Sequence, residues 1–383
     1  MHRPTSVAID NNIDPVYVIL YCSHVSVSVC VCRYVPMLSV KLSSRQFCEP
    51  VARRFEHVLE RFSCLRQLAL PNCRLDPPTV VRLSRVLQLN TSLYSLDLAD
   101  ARLADDGAML LAHALQRNSS LRMLALAGNE LTSRGCRLIV RAIGRSRAVS
   151  ELDLSDNRVG DVGSRALAEL LAASNSALRR LSVCGNGLAA GGASALFAAL
   201  RRNSRLTQLE VSRNGEIGDE SSRELATALI YNRTLRHLAV SGCGLTTATC
   251  CVLARPLQSN SVLRVLAMDC NEGITDAGVE AVADSLRYNR SLRHLSFNRC
   301  GLTHRALTSL LPALYHNNTV RMIDVRPLNA SSTTRQQPLP SNLTPAAAAD
   351  DDDDDGSHGN VTASPTTELS RVLHANPLLR ILY

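Results

Sequence analysis

Tryptophan is missing from the 383 residues, and eight tyrosines and five phenylalanines bring the aromatic share to only 3%. That is thin for an enzyme core and thin for a tight binding surface, because interface hot spots draw on Trp and Tyr. Lysine is nearly missing as well: Lys41 is the only one among 42 cationic residues, the rest being arginine. The 13 cysteines contain no Cys-x-x-Cys pair, which excludes a zinc ribbon or a thioredoxin-like centre. Their odd number and irregular spread also exclude a secreted disulfide scaffold and point to reduced thiols in the cytoplasm. There is no His-Glu-x-x-His, no phosphate loop and no Gly-x-Ser-x-Gly elbow. An enzyme is therefore not expected, and neither is a cofactor.

A single compact core rarely grows past ~250–300 residues, so this length implies two domains or an elongated array. The pattern L-x-x-L-x-L-x-x-N/C-x-L decides for the array. It is clearest at Leu121, Leu124, Leu126, Asn129, Leu131 and again at Leu178, Leu181, Val183, Asn186, Leu188. Its first apolar residue falls at 65, 93, 121, 149, 178, 206, 235, 263, 292 and 320, always 28 or 29 residues apart. Two leucines two residues apart point to one face of a short strand. The Asn or Cys that follows (Cys73, Asn129, Asn157, Asn186, Asn214, Cys243, Asn271, Cys300) sits in the turn, where its side chain can bond backbone groups left unpaired. Helical stretches come next, with apolar residues at i, i+3 and i+4 such as Leu111, Ala114 and Leu115. An asparagine (Asn118, Asn203, Asn232, Asn260, Asn289, Asn376) stands three residues before the next first leucine. It suits a helix exit by tolerating left-handed backbone angles.

These units resemble leucine-rich repeat proteins of the ribonuclease-inhibitor type. A one-residue insertion shared by Asn214-Gly215-Glu216-Ile217 and Asn271-Glu272-Gly273-Ile274, 57 residues apart, adds a two-repeat rhythm to the likeness. The resemblance implies an α/β fold, a solenoid bent into a horseshoe with parallel strands on the concave face and helices on the convex face. Its domains would be a leader of uncertain status (1–44), an N-terminal helical cap (45–64), repeats (65–328), a disordered, low-complexity acidic insertion (329–365) and a final helix and strand (366–383). The leader's alternating Val16–Cys22 and Val25–Cys32 runs fit a β-strand with nothing obvious to pair with, or a membrane anchor, which the interrupting His24 and serines disfavour. The insertion holds Asp350–Asp355, and the chain stops at Tyr383 inside an eleventh strand, an edge expected to need cover.

Two columns of side chains follow from the repeat. The residue between the second and third leucines reads Ala69, Asp97, Ala125, Asp153, Ser182, Glu210, Ala239, Ala267, Ser296, Asp324. Asp97, Asp153 and Glu210, with Glu151 and Asp156 beside them, predict an acidic concave stripe for a basic protein partner. The residue after the first leucine is Arg in eight of eleven copies: Arg66, Arg122, Arg179, Arg236, Arg264, Arg293, Arg321 and Arg380. These would stack into a basic edge, which suggests phosphate, nucleic acid or an acidic protein as its partner; the reading preferred here is that they bond the carbonyls of the preceding helix. Nucleic acid and membrane are not expected as partners. His237 and His294, two repeats apart, are too far from each other to share a metal.

The function implied is a cytoplasmic scaffold that binds proteins and catalyses nothing itself. Two alternatives come from similar repeat proteins: a GTPase-activating protein of the Ran type, whose partner would be a small GTPase, and a cytoskeletal or centrosomal assembly component.

Overall fold

The computed structural model describes residues 16–22, 25–31, 38–42, 65–173, 176–326 and 365–382. The expected cap at 45–64 and all of the expected insertion at 329–365 except Pro365 lie outside them. Strands β1 (Val16–Cys22), β2 (Val25–Val31) and β3 (Leu38–Leu42) come first. The repeats then alternate β4 (Leu65–Ala69), α1 (Pro77–Leu89), β5 (Ser95–Asp97), α2 (Ala104–Leu115), β6 (Met123–Ala125), α3 (Ser133–Ser146), β7 (Glu151–Asp153) and α4 (Gly160–Ala172). Next are β8 (Arg180–Ser182), α5 (Ala190–Leu200), β9 (Gln208–Glu210), α6 (Ser222–Tyr231), β10 (His237–Ala239) and α7 (Thr247–Ser259). The series ends with β11 (Val265–Ala267), α8 (Asp276–Leu286), β12 (His294–Ser296), α9 (Arg305–Tyr315), β13 (Met322–Asp324), α10 (Pro365–Ala375) and β14 (Arg380–Leu382).

All strands join one open sheet in chain order, and β4 to β14 run parallel. Parallel neighbours need a crossover, and here each crossover is a helix on the same side of the sheet. This is the repeat solenoid that the leucine spacing predicts. From β5 to β13 each three-residue strand buries its central residue, as Leu96, Leu124, Leu266 and Leu295 are buried, and leaves the flanking two open or partly open, except that β10 and β13 also bury Ala239 and Asp324. The buried leucines and the inner helix faces form one continuous core along the array. Phe197 and Phe297 are its largest fully buried side chains, so the shortage of aromatics is met by leucine.

The turn asparagines do what their position predicts. Asn214 Oδ1 accepts from the backbone N–H groups of Asn186 (2.8 Å) and Leu188 (3.1 Å) in the previous repeat. Its Nδ2 donates to the carbonyls of Val211 (2.7 Å) and Val183 (3.0 Å). Asn129, Asn157 and Asn271 repeat the scheme. Where cysteine takes the place, the thiol donates instead, as Cys243 does to the Val211 carbonyl at 3.3 Å.

Three expectations are corrected. The helix-exit asparagines are not left-handed: none has a positive φ, and Asn232 and Asn260, like Asn90 at the corresponding place after α1, are extended, with φ between −74° and −70° and ψ between 123° and 134°. Their reason for being Asn is bonding. Asn289 Nδ2 donates back to the carbonyls of Leu257 (2.7 Å) and Asn260 (3.0 Å), while its Oδ1 accepts from Leu292 N (2.8 Å). The leader strands do have partners, since β1 pairs with β2 and β2 with β3, both antiparallel, and β3 lies parallel to β4. No helix among the described residues is long and apolar enough to cross a membrane. Arg380, finally, stands opposite Met322 and not opposite Arg321, because Ile381 takes the inward place beside Ile323 and leaves Leu382 exposed.

An unforeseen two-repeat rhythm runs along one rim. Asp105, Asp161, Asp219 and Asp276 each sit at the start of a helical segment and accept from the backbone at the entry to the next helix. The donors are Thr132 N (2.9 Å), Ala189 N (2.9 Å), Thr246 N (2.9 Å) and Thr303 N (2.8 Å). Each carboxylate thereby satisfies donors that a helix entry leaves unpaired.

Candidate functional site

Register places the predicted acidic column as the leucine spacing implies. Asp97 lies beside Ala125, Ala125 beside Asp153, Asp153 beside Ser182 and Ser182 beside Glu210. The three carboxylates therefore come from every second strand, ~9.6 Å apart at the usual strand spacing. The small alanine and serine between them leave a hollow of about 530 Å³ on the concave wall, lined by Asp97, Glu151, Asp153 and Glu210 among others. Asp156 lies on the turn beside it.

The five predicted residues divide by what holds them. Asp97 Oδ1 accepts from Ala99 N at 3.0 Å. Asp153 Oδ1 accepts from the N–H (2.9 Å) and hydroxyl (2.6 Å) of Ser155, whose oxygen is 2.7 Å from that of Ser182. Glu210 Oε1 accepts from Gln208 Nε2 at 2.6 Å and lies 3.7 Å from His237 Nε2. Each of these three keeps its second oxygen without a donor among the described residues. Glu151 and Asp156 are instead ion-paired, Glu151 with Arg180 and Asp156 with Arg213 through two bonds of 2.7 and 2.9 Å.

Arg180 and Arg213 were not anticipated. The first was readable, because Glu151 and Arg180 both follow the first leucine of their repeats by two positions and face each other in register. The second is harder to read. Arg213 and Asp156 are 57 residues apart and meet across an intervening repeat, where Gly185 stands. A Cβ at Gly185 would lie 2.6 Å from Asp156 Oδ1, and its φ of +61° is one that side chains other than glycine rarely adopt. With four carboxylates against two guanidiniums, the hollow's lining carries a net charge of −2.

His237 borders the hollow and does not extend it into a metal site. Burial lowers its pKa below the usual histidine value, and His294 lowers it further against the opposing pull of Glu210. Among the described residues no group of three or more His, Cys, Asp or Glu could hold a metal ion. Four of the thiols are poor nucleophiles: burial pushes Cys136, Cys243, Cys250 and Cys300 up to about 12.

A family model described as "Leucine Rich repeat" matches residues 89–112, 146–168, 231–248 and 259–283. Over 133 residues the chain is 34% identical to "NACHT, LRR and PYD domains-containing protein 4C" of Mus musculus, covering 34% of this chain and 13% of that protein. Over 172 residues it is 28% identical to "Centrosomal protein of 78 kDa" of Mus musculus, covering 39% of this chain and 22% of that one. The matched stretches are thus less than a quarter of these relatives' lengths. Among solved structures, the complex of Rad7 and Elc1 in yeast aligns over 72% of both chains at 16% identity and a TM-score of 0.44. None of these names points to a GTPase activator of the Ran type.

Proposed function

This chain is a leucine-rich repeat protein, and we propose that it works as a protein-interaction scaffold whose acidic concave hollow holds a basic partner. The observation that carries the reading is the set of three half-free carboxylates, Asp97, Asp153 and Glu210, on alternate strands of one stiff wall. A wall already in its bound shape lowers the ordering cost of association. Its charge steers and orients an oppositely charged partner more than it adds raw affinity. Glu151 and Asp156 act in second place, because their pairing with Arg180 and Arg213 must be broken or extended by an incoming cation. The eight free cysteines among the described residues support a reducing compartment and hence the cytoplasm. The full helices of the repeats, their 28/29-residue length and the paired aspartate rhythm support the ribonuclease-inhibitor subtype.

Affinity capture from cell lysate with the wild-type chain and with D153R/E210R tests the site. One or more basic proteins should be retained by the wild type and lost from the variant. Identical recoveries from both would remove the hollow as the binding surface. The likeness to a centrosomal protein favours a second reading, an assembly role at that organelle. Fluorescence imaging of the tagged full chain against a centrosome marker decides it, and diffuse cytoplasmic signal ends it.

A further inference from the structure

Four consecutive repeats, from β10 to β13, carry an exposed arginine directly after the first buried residue: Arg236, Arg264, Arg293 and Arg321. Their backbones are pinned to one another. The Arg236 carbonyl accepts from Arg264 N (2.8 Å) and Val265 N (3.0 Å), that of Arg264 from Arg293 N (2.8 Å) and His294 N (2.9 Å), and that of Arg293 from Arg321 N (2.8 Å) and Met322 N (3.0 Å). At ~4.8 Å per strand the four Cα atoms form a straight row of ~14 Å.

The guanidiniums of this row serve no helix end, contrary to the expectation from sequence. None has an ion pair or a side-chain hydrogen bond among the described residues. Helix ends use other arginines, three places earlier: Arg233 donates to the Ile230 carbonyl at 2.9 Å and Arg290 to that of Asn289 at 3.0 Å. In the first half of the array the same position is broken up as Arg66, Tyr94, Arg122, Ser150, Arg179 and Thr207. There Arg122 is engaged with the Ala148 carbonyl at 2.8 Å. The columns flanking the unbroken row are His237, Val265, His294, Met322 on one side and Thr234, Val262, Ser291, Thr319 on the other. Neither column contains a carboxylate, and neither contains a phenylalanine, tyrosine or tryptophan.

We propose that this arginine ladder docks an acidic protein segment in helical form, with one carboxylate per turn facing the row. Four like charges on backbones ~4.8 Å apart repel, and an anion relieves that cost. A helix with acidic residues at i, i+4, i+7 and i+11 repeats its charge every ~5.4 Å, within reach of flexible arginine arms spaced at ~4.8 Å. An extended strand repeats one face every ~6.7 Å and falls out of step within three contacts. Arginine binds carboxylates bidentately, which suits a fixed row. Single-stranded nucleic acid is the lesser match, because its bases stack best on broad aromatic platforms, and the flanking columns offer only the imidazoles of His237 and His294 and no Phe, Tyr or Trp. The ladder begins on β10, beside the hollow's last strand β9, but none of its four arginines lines the hollow, so it stands whether or not the hollow binds.

Fluorescence anisotropy on the full chain tests it, with a labelled 18-residue alanine-based peptide carrying glutamates at i, i+4, i+7 and i+11. The same peptide with glutamines and a 15-nucleotide oligouridylate are run beside it. The glutamate peptide should bind, weaken with added salt, and lose about tenfold in affinity to R264E/R293E, while R66E/R179E stays within about twofold. Circular dichroism should be alike for all forms, since these arginines are exposed. The proposal is overturned by no binding of the glutamate peptide, by equal binding of the glutamine peptide, or by an unchanged affinity in R264E/R293E. Tighter binding of the oligouridylate, lost in that same variant, overturns the acidic segment in favour of nucleic acid.

Discussion

A buried asparagine costs free energy unless all its polar atoms are used, and in this array they are used to tie one repeat to the last. Asn214 satisfies two backbone donors and two carbonyls at once. Replacing it with alanine leaves the N–H groups of Asn186 and Leu188 and the Val183 carbonyl buried without partners, at about 1–3 kcal/mol each before relaxation, while the Val211 carbonyl keeps the Cys243 thiol. Asn214→Ala should therefore lower stability by about 2–4 kcal/mol, read as a shift of the urea midpoint at unchanged slope. Cys243 shows a smaller loss: its sulfur donates to the carbonyls of Val211 (3.3 Å) and Ser241 (3.6 Å). Asn214→Cys should accordingly fall between wild type and Asn214→Ala. An Ala variant as stable as the wild type would mean that the asparagine ladder is ornament to the leucine core.

The helix starts depend on the same kind of bond at a larger scale. Burial alone would raise the Asp219 carboxyl, but hydrogen bonds from the side chains and backbones of Thr246 and Thr249 hold it below the usual aspartate value. Those bonds fix the entry of α7 from the start of the preceding helical segment. A depressed carboxyl pKa means the unfolded chain binds the proton more readily, so the stabilisation is present above about pH 4 and is lost as pH falls through the folded value. Asp219→Asn should be less stable than the wild type at pH 6, and the two should converge in urea midpoint as pH drops towards 3. A constant difference across that range would show that ionised Asp219 does not hold the helix entry. Elements of this kind were partly legible from sequence. Leucines spaced by 28 or 29 residues stack identical positions, so the strands, the buried column and the order of Asp97, Asp153 and Glu210 could be read without coordinates. What a single strand does against its neighbour was not. Ile381 outcompetes Leu382 for the inner place and shifts Arg380 by one column. Arg213 reaches Asp156 only because Gly185 has no side chain in the way, a gap that no repeat pattern announces.

Across the whole molecule, each repeat touches mainly its two neighbours, so stability is close to a sum of repeat and interface contributions. That stiffness in register puts an acidic hollow over β5 to β9 and a basic ladder over β10 to β13 of one sheet, at a separation set by strand spacing. Opposite charges on successive stretches of a rigid wall suit two partners held side by side better than one partner that wraps both. The nearest-neighbour logic makes a direct prediction about damage. Leu209 is fully buried in β9, and Leu209→Ala should cost about 2–5 kcal/mol through lost burial and the cavity left behind. In a solenoid that loss should stay local. Backbone amides of β8, β9 and β10 should exchange with deuterium at least about tenfold faster, while those of β5 and β13 stay close to wild type. Equal acceleration from β5 to β13 would show that the array opens only as one cooperative unit, and the two charged surfaces would then lose their shape together and not one at a time.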